Sequence, residues 1–178
     1  MYPVSPTLRG QLLIAAPSLF DYFRRTVVLV IEHTPDGAMG VVLNRESETR
    51  VADAVPQLAE LAAGGDLVRI GGPVAPQSVV ALGDFADLSE AGTRVLGQLG
   101  TLDPDAANES LRRLRVYAGY AGWGAGQLDG ELEQEAWLTA PAEEEDPFSE
   151  DDLWSRALER RGGAYRLLAT MPPDPSQN

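Results

Sequence analysis

Apolar and polar positions along this chain fall into short stretches punctuated by glycine, proline and aspartate. TVVLVIEH, Thr26–His33, is a continuous β-branched run and predicts a strand buried on both faces. Asp36-Gly37 then signals a hairpin, with MGVVLN, Met39–Asn44, as the return strand. Leu8–Ala15, Leu67–Ile70 and SVVALGDF, Ser78–Phe85, read as further strands, and Thr93–Leu102 as an irregular one with glycines. Val51–Ala63 has helical spacing, kinked or restarted at Pro56 and ended by Gly64-Gly65. Pro17–Phe23 reads as a short helical turn. Asp103-Pro104 predicts an N-cap and first position of a helix running to about Leu114. Leu114–Tyr120 is a strand leading into YAGYAGWGAGQLDGEL, Tyr117–Leu132, with glycines at 119, 122, 124, 126 and 130. Beyond it come a short acidic helix, Gln127–Glu135, a strand, Ala136–Thr139, and a helix, Asp151–Arg161, closed by Gly162-Gly163. The tail, about 172–178, is expected on the surface. Strands and helices mix without a βαβ rhythm, so the expected class is α+β in a single domain spanning 1–178.

Composition narrows the chemistry. The 178 residues contain no cysteine and no lysine; all fourteen basic residues are arginine. Disulfides, thiol nucleophiles, cysteine-ligated metals, a P-loop lysine and a Schiff-base lysine are therefore excluded. A GC-rich genome accounts for the missing lysine; salt adaptation would account for it too, and for a pI near 4.4. The net charge of −13 is concentrated: residues 126–152 carry eleven acids and no base, and the remainder is nearly balanced. Such a charge disfavours long-range attraction to nucleic acid or anionic membrane. No apolar run approaches the ~18 residues of a membrane span. The first ten residues lack a basic segment followed by an apolar core, so the expected compartment is the cytoplasm.

The order of LLIAAPSLFDYFRRTVVLVIEH, GAMGVVLNR, GGPV and GYAGWGAGQLDGEL followed by a tryptophan resembles the AlgH/YqgE family of uncharacterised bacterial proteins. The resemblance runs from about residue 10 to the end, and LLATMPPDPSQN is similar to its actinobacterial branch. It implies a small barrel-like core of mixed β-sheets flanked by helices, and it brings no established reaction or DNA-binding motif. Glu46 and Ala125 stand where the family commonly has proline, and Gln177 where it commonly has leucine.

Candidate site residues are few. His33 is the only histidine; with Glu32 it offers an acid–base pair, but neighbours on a strand face opposite ways. It reads either as a hydrogen-bonded structural group or as a site residue. Arg25, Asn44 and Arg45, with Arg24, meet at the far end of the hairpin, where they form an anion-binding cluster or pair with Asp21, Glu46 and Glu48. Gly71 and Gly72 form a tight turn or expose amides to an anion. The acidic loop at about 142–152, including Glu143–Asp146, reads as a solvated loop; cation binding there lacks EF-hand spacing. Arg112, Arg113 and Arg115 are the best basic patch, and weak evidence for nucleic acid. The glycine-rich stretch is not in G-x-G-x-x-G register, lacks lysine and is followed by acids. It reads as a packing device around Trp123, with Trp123 and Gln127 as walls of a neutral or cationic ligand site.

The expectation is a non-catalytic binding or regulatory protein acting on a protein or small-molecule partner. No cofactor, metal site or catalytic residue is assigned, and the oligomeric state is open. The alternative is an enzyme or a nucleotide or anion binder built on His33, Arg25 and Arg45. Direct DNA contact ranks third.

Overall fold

The computed structural model describes residues 7–170 apart from 20, 104 and 164. Strands β1 (Gln11–Ala15), β2 (Val27–Thr34) and β3 (Gly37–Val42) open the fold. β4 (Glu46–Arg50), a one-turn helix α1 (Val51–Ala54), β5 (Leu67–Ile70) and β6 (Val74–Phe85) follow. β7 (Ala91–Leu96) and β8 (Leu99–Leu102) form a hairpin, and β9 (Leu111–Gly124) is the longest strand. The chain then runs through α2 (Gln127–Glu133), β10 (Trp137–Pro141), α3 (Leu153–Arg161) and α4 (Tyr165–Leu168).

One sheet joins the strands in the order β10, β1, β2, β3, β9, β6, β8, β7, with β4 and β5 attached beside β9. All pairings are antiparallel except β5 with β9. The sheet curls into a half-barrel, bringing β7 back towards β2. Strand alternation sorts the apolar residues. Leu12, Ile14, Leu29, Ile31 and Val41 point into the half-barrel with Leu82, Val95 and Tyr117. Their neighbours Leu13, Ala15, Val28, Val30 and Val42 form an outer cluster with Trp123, Leu128 and Trp137. A second outer cluster, with Val68, Leu114 and Val116, is covered by α1 and the short turn after it. The TVVLVI run is thus buried on both faces, as a continuous apolar strand requires. Burying each of these side chains stabilises the fold by about 1.5–3 kcal/mol. α3 closes one end of the half-barrel, with Trp154 donating its indole N–H to the Ala15 carbonyl at 2.9 Å.

Several expectations need correction. No helix occupies 105–114. Pro104 lies outside the described residues; those at 105–110 form turns, and Leu111 already begins β9. Asp103 does accept an N–H, from Asp105 at 2.9 Å, but in an Asx-turn rather than a helix cap. The strand expected over Leu114–Tyr120 is longer at both ends: β9 continues through the glycine-rich stretch to Gly124, and Ala125-Gly126 turn before α2. The expected helix over 51–63 is reduced to α1 and a single 3-10 turn at Pro56–Leu58. Where a short helical turn is expected over Pro17–Phe23, the described residues form turns and a bend. The tail at 172–178 falls outside the described residues.

Gly119 explains the long strand. It sits at φ +73, in the left-handed region, and a Cβ there would lie 2.5 Å from the Gly72 carbonyl oxygen. Before it, Leu114, Val116 and Ala118 face outward; after it, Ala121 and Trp123 do. The extra residue reverses the alternation, as a β-bulge does. It also marks where β9 exchanges β5 for β3 on one edge. Gly71 bonds across this junction, donating to the Ala118 carbonyl and accepting from the Val42 N–H. At Gly72 a Cβ would lie 2.1 Å from the Tyr120 backbone. Gly71 and Gly72 therefore serve the close approach of backbones.

Candidate functional site

The end of the half-barrel opposite α3 is open. A groove of about 760 Å³ lies there, between the tips of β2, β3 and β9 on one side and β6, β7 and β8 on the other. Its apolar wall includes Ile31, Met39, Val74, Val79, Val80 and Leu102. Val74 and Val79 are 37% and 45% exposed, unusual among the valines of this chain. The polar groups are Thr34, Thr93, Thr101, Tyr120 and the carboxylates of Glu32 and Asp36. Neither carboxylate has an ion-pair partner among the described residues.

A bulge in β2 aims Glu32 into this groove. Val30 pairs with Gly40, but Glu32 pairs with Met39, so Ile31 is an extra residue. Ile31 and Glu32 consequently both face inward. His33 faces outward. Its Nδ1 accepts the Leu8 N–H at 3.0 Å, which places the proton of the neutral ring on Nε2, 3.8 Å from Asp129 Oδ1. Glu32 and His33 are thus on opposite faces.

The arginines of the hairpin's other end lie apart from this groove. Arg25 and His33 are eight positions apart, near opposite ends of β2, roughly 26 Å of extended chain. Arg25, at φ 57, places its guanidinium 4.1 Å above the Trp154 ring and 3.9 Å from Asp152. Arg45 lies over Tyr22 at 4.7 Å and donates to the Arg24 carbonyl. Asn44 clamps the turn: its amide oxygen accepts the Val27 N–H and its NH₂ donates to the Arg25 carbonyl, each at 2.9 Å. Trp123 borders the groove, but its ring packs in the outer cluster against Phe23 and Trp137. Gln127 accepts the Gly124 N–H and donates to Glu131.

The acidic loop and the basic patch prove to be two halves of one belt. Arg113 bonds Glu145 at 2.8 Å, and Arg115 bonds Glu150 at 2.5 Å and buried Asp66 at 2.6 Å. Arg69 joins Asp66 and Glu46, each at 3.2 Å. Asp146 is 4% exposed and takes both arms of Arg160, at 2.8 and 2.9 Å, together with the Glu143 N–H. Burial alone would raise the Asp84 carboxyl, but the bonds and charges of Arg112 and Arg113 together outweigh it and hold it below 3.8. The hydrogen bond to Arg113 likewise lowers Glu145. Burial pushes the Tyr117 hydroxyl upward; it has no hydrogen-bond partner in this network. No group of three or more metal-ligating side chains occurs among the described residues; Glu143, Glu145, Asp146 and Glu150 of the loop hold arginines, and Glu144 accepts the Gln98 N–H at 2.8 Å.

The AlgH-like family model matches residues 12–166. The chain belongs to the AlgH-like family. A UPF0301 protein of Thermobifida fusca is 41% identical over 97% of this chain and 96% of its own. One of Streptomyces coelicolor is also 41% identical, over 97% and 96%. The crystal structure of a Corynebacterium diphtheriae protein matches with a TM-score of 0.84 at 31% identity, covering 96% of this chain and 95% of that one. The solution structure of Pseudomonas aeruginosa AlgH matches with a TM-score of 0.71 at 34% identity, over 97% and 98%. The two solved structures share this fold, and the actinobacterial affinity expected from the C-terminal motif holds. No helix among the described residues is long and apolar enough to cross a membrane.

Sequence reasoning missed several residues within this AlgH-like frame. Glu131 Oε1 accepts both the Trp123 and Trp137 indole N–H groups, at 3.1 and 2.9 Å. Nothing in a lone acidic helix points to that role. Of the groove, only Glu32 and Trp123 were singled out as candidates. Val74 and Val79, flanking Pro76, were legible only as part of a strand.

Proposed function

We propose that this chain is a non-catalytic, cytoplasmic binding protein of regulatory character whose ligand site is the open end of the half-barrel. The ligand it suits has an apolar body and a positively charged end. The observation that carries this reading is the pair of carboxylates, Glu32 and Asp36, without cations beside exposed valines. Two acids at one apolar mouth, with no arginine lining it among the described residues, suit a ligand that brings its own cation on an apolar body. Tyr120 adds an aromatic ring to the same wall. An enzyme or anion binder built on His33, Arg25 and Arg45 has less support, because these groups do not share a cavity and each already has a structural contact. Direct DNA contact has least, since Arg112, Arg113 and Arg115 are occupied by acids.

The test is a thermal-shift series with short alkylamines and alkylguanidines, with the matching carboxylates as controls. The cations should raise Tm in a concentration-dependent way, and Glu32→Gln with Asp36→Asn should remove the response. Equal shifts from amines and carboxylates would defeat the reading.

A further inference from the structure

β6 is a strand with one covered edge and one that is open for most of its length. β9 pairs with it from Val74 to Phe85, interrupted between Val74 and Val79. On the other side β8 pairs only with Leu82, Gly83 and Asp84. From residue 81 back to 74 that second edge has no strand partner among the described residues. An exposed edge of this kind is a template for another strand, and proteins usually blunt it. Here the blunting is confined to the far end: residues 75–78, with Pro76 and with Ala75 at φ 45, bulge out opposite Gly119 alone. Val79, Val80 and Ala81 remain, and all three border the groove that contains Glu32 and Asp36.

We propose that the groove receives an extended segment of another protein, added as a strand to the free edge of β6 and carrying lysine or arginine among apolar residues. This rests on the reading of the open end as the ligand site and specifies its occupant. Backbone groups of the segment would pair with β6, as in strand addition generally, while alternate side chains enter the groove. Apolar ones meet Met39, Val80 and Tyr120, and a basic one reaches Glu32 or Asp36. The charge pattern argues against two other occupants. Residues 1–6 and 171–178 contain no lysine, arginine or histidine, so no side chain of these segments supplies the cation. A second copy would bring its own carboxylates to the same edge, at a net charge of −13 per chain.

The experiment titrates the full chain against fluorescent peptides of alternating valine and arginine, read by anisotropy. Controls are the valine–glutamate analogue and the basic peptide N-methylated at alternate backbone amides, made in both phases. The basic peptide should bind at least about tenfold more tightly than the acidic one, and Glu32→Gln with Asp36→Asn should reduce its affinity about tenfold. N-methylation in one phase should abolish binding, because it removes the donors that pair with β6. Equal binding of methylated and unmethylated peptides would overturn strand addition while leaving the ligand site in place. No peptide binding alongside a thermal response to alkylamines would overturn the peptide and keep the site; no response to either would defeat both. A dimer in sedimentation that basic peptide does not dissociate would assign the β6 edge to a second copy instead.

Discussion

The belt beneath the acidic loop and the open end of the half-barrel handle negative charge in opposite ways. In the belt, the side chains of Asp66, Asp84 and Asp146 are buried and each takes hydrogen bonds from one or two arginines. At the open end, Glu32 and Asp36 are exposed and hold no arginine. A carboxylate that fastens the fold comes with its partner; one that serves a ligand, as proposed for the groove, would wait for it. The two strongest charge features of the sequence, an acidic run and an arginine patch, satisfy each other. The two groove acids, unremarkable as a pattern, are the ones the proposed reading assigns to binding.

Substitutions can break this contrast, beginning with the largest effect. Asp146→Ala strips Arg160 of its bidentate partner and frees the Glu143 N–H; it should lower unfolding free energy by about 3 kcal/mol in urea melts. Glu131→Ala leaves two indole N–H groups without their acceptor. A loss of about 2 kcal/mol and a changed near-UV circular dichroism spectrum are expected. Asp84 gives a pH signature. Its carboxyl titrates below 3.8 in the fold, so its stabilisation is complete above that value and lost as pH falls through the lowered one. Asp84→Asn should therefore flatten part of the acid limb of the stability–pH curve and cost about 1 kcal/mol at neutral pH. Glu32→Gln should change stability least, within about 0.5 kcal/mol, while weakening the response to cations. A Glu32→Gln protein destabilised as much as Asp146→Ala would erase the distinction between the two regions.

The sequence conveyed the elements with strong local signals. The β-branched run of β2, the Asp36-Gly37 turn and the helix ended by Gly162 all stand where pattern placed them. Asp103-Pro104 misled because an aspartate that accepts a nearby N–H looks the same whether a helix or a turn follows. Leu111–Arg115 then reads equally as helix or strand over so few residues. Of the candidate site, Glu32 was visible as a residue but not its direction, since the bulge at Ile31 depends on pairing with β3. The belt was hidden for a different reason. Arg113 and Glu145 lie 32 residues apart, and Arg115 and Asp66 lie 49 apart; such partners meet only once β9 has its neighbours.

Gly119 also limits how β9 can be straightened. A residue that cannot take φ +73 would pull this position into regular strand geometry, and alternation would then count straight through it. Residues 120–124 would exchange faces: Trp123 would swing from its carboxylate and its aromatic neighbours into the open end, and Tyr120 would swing out. Deleting the residue would leave them on their present faces, so it is the extra residue made regular, not its loss, that would fill the groove with the chain's own indole.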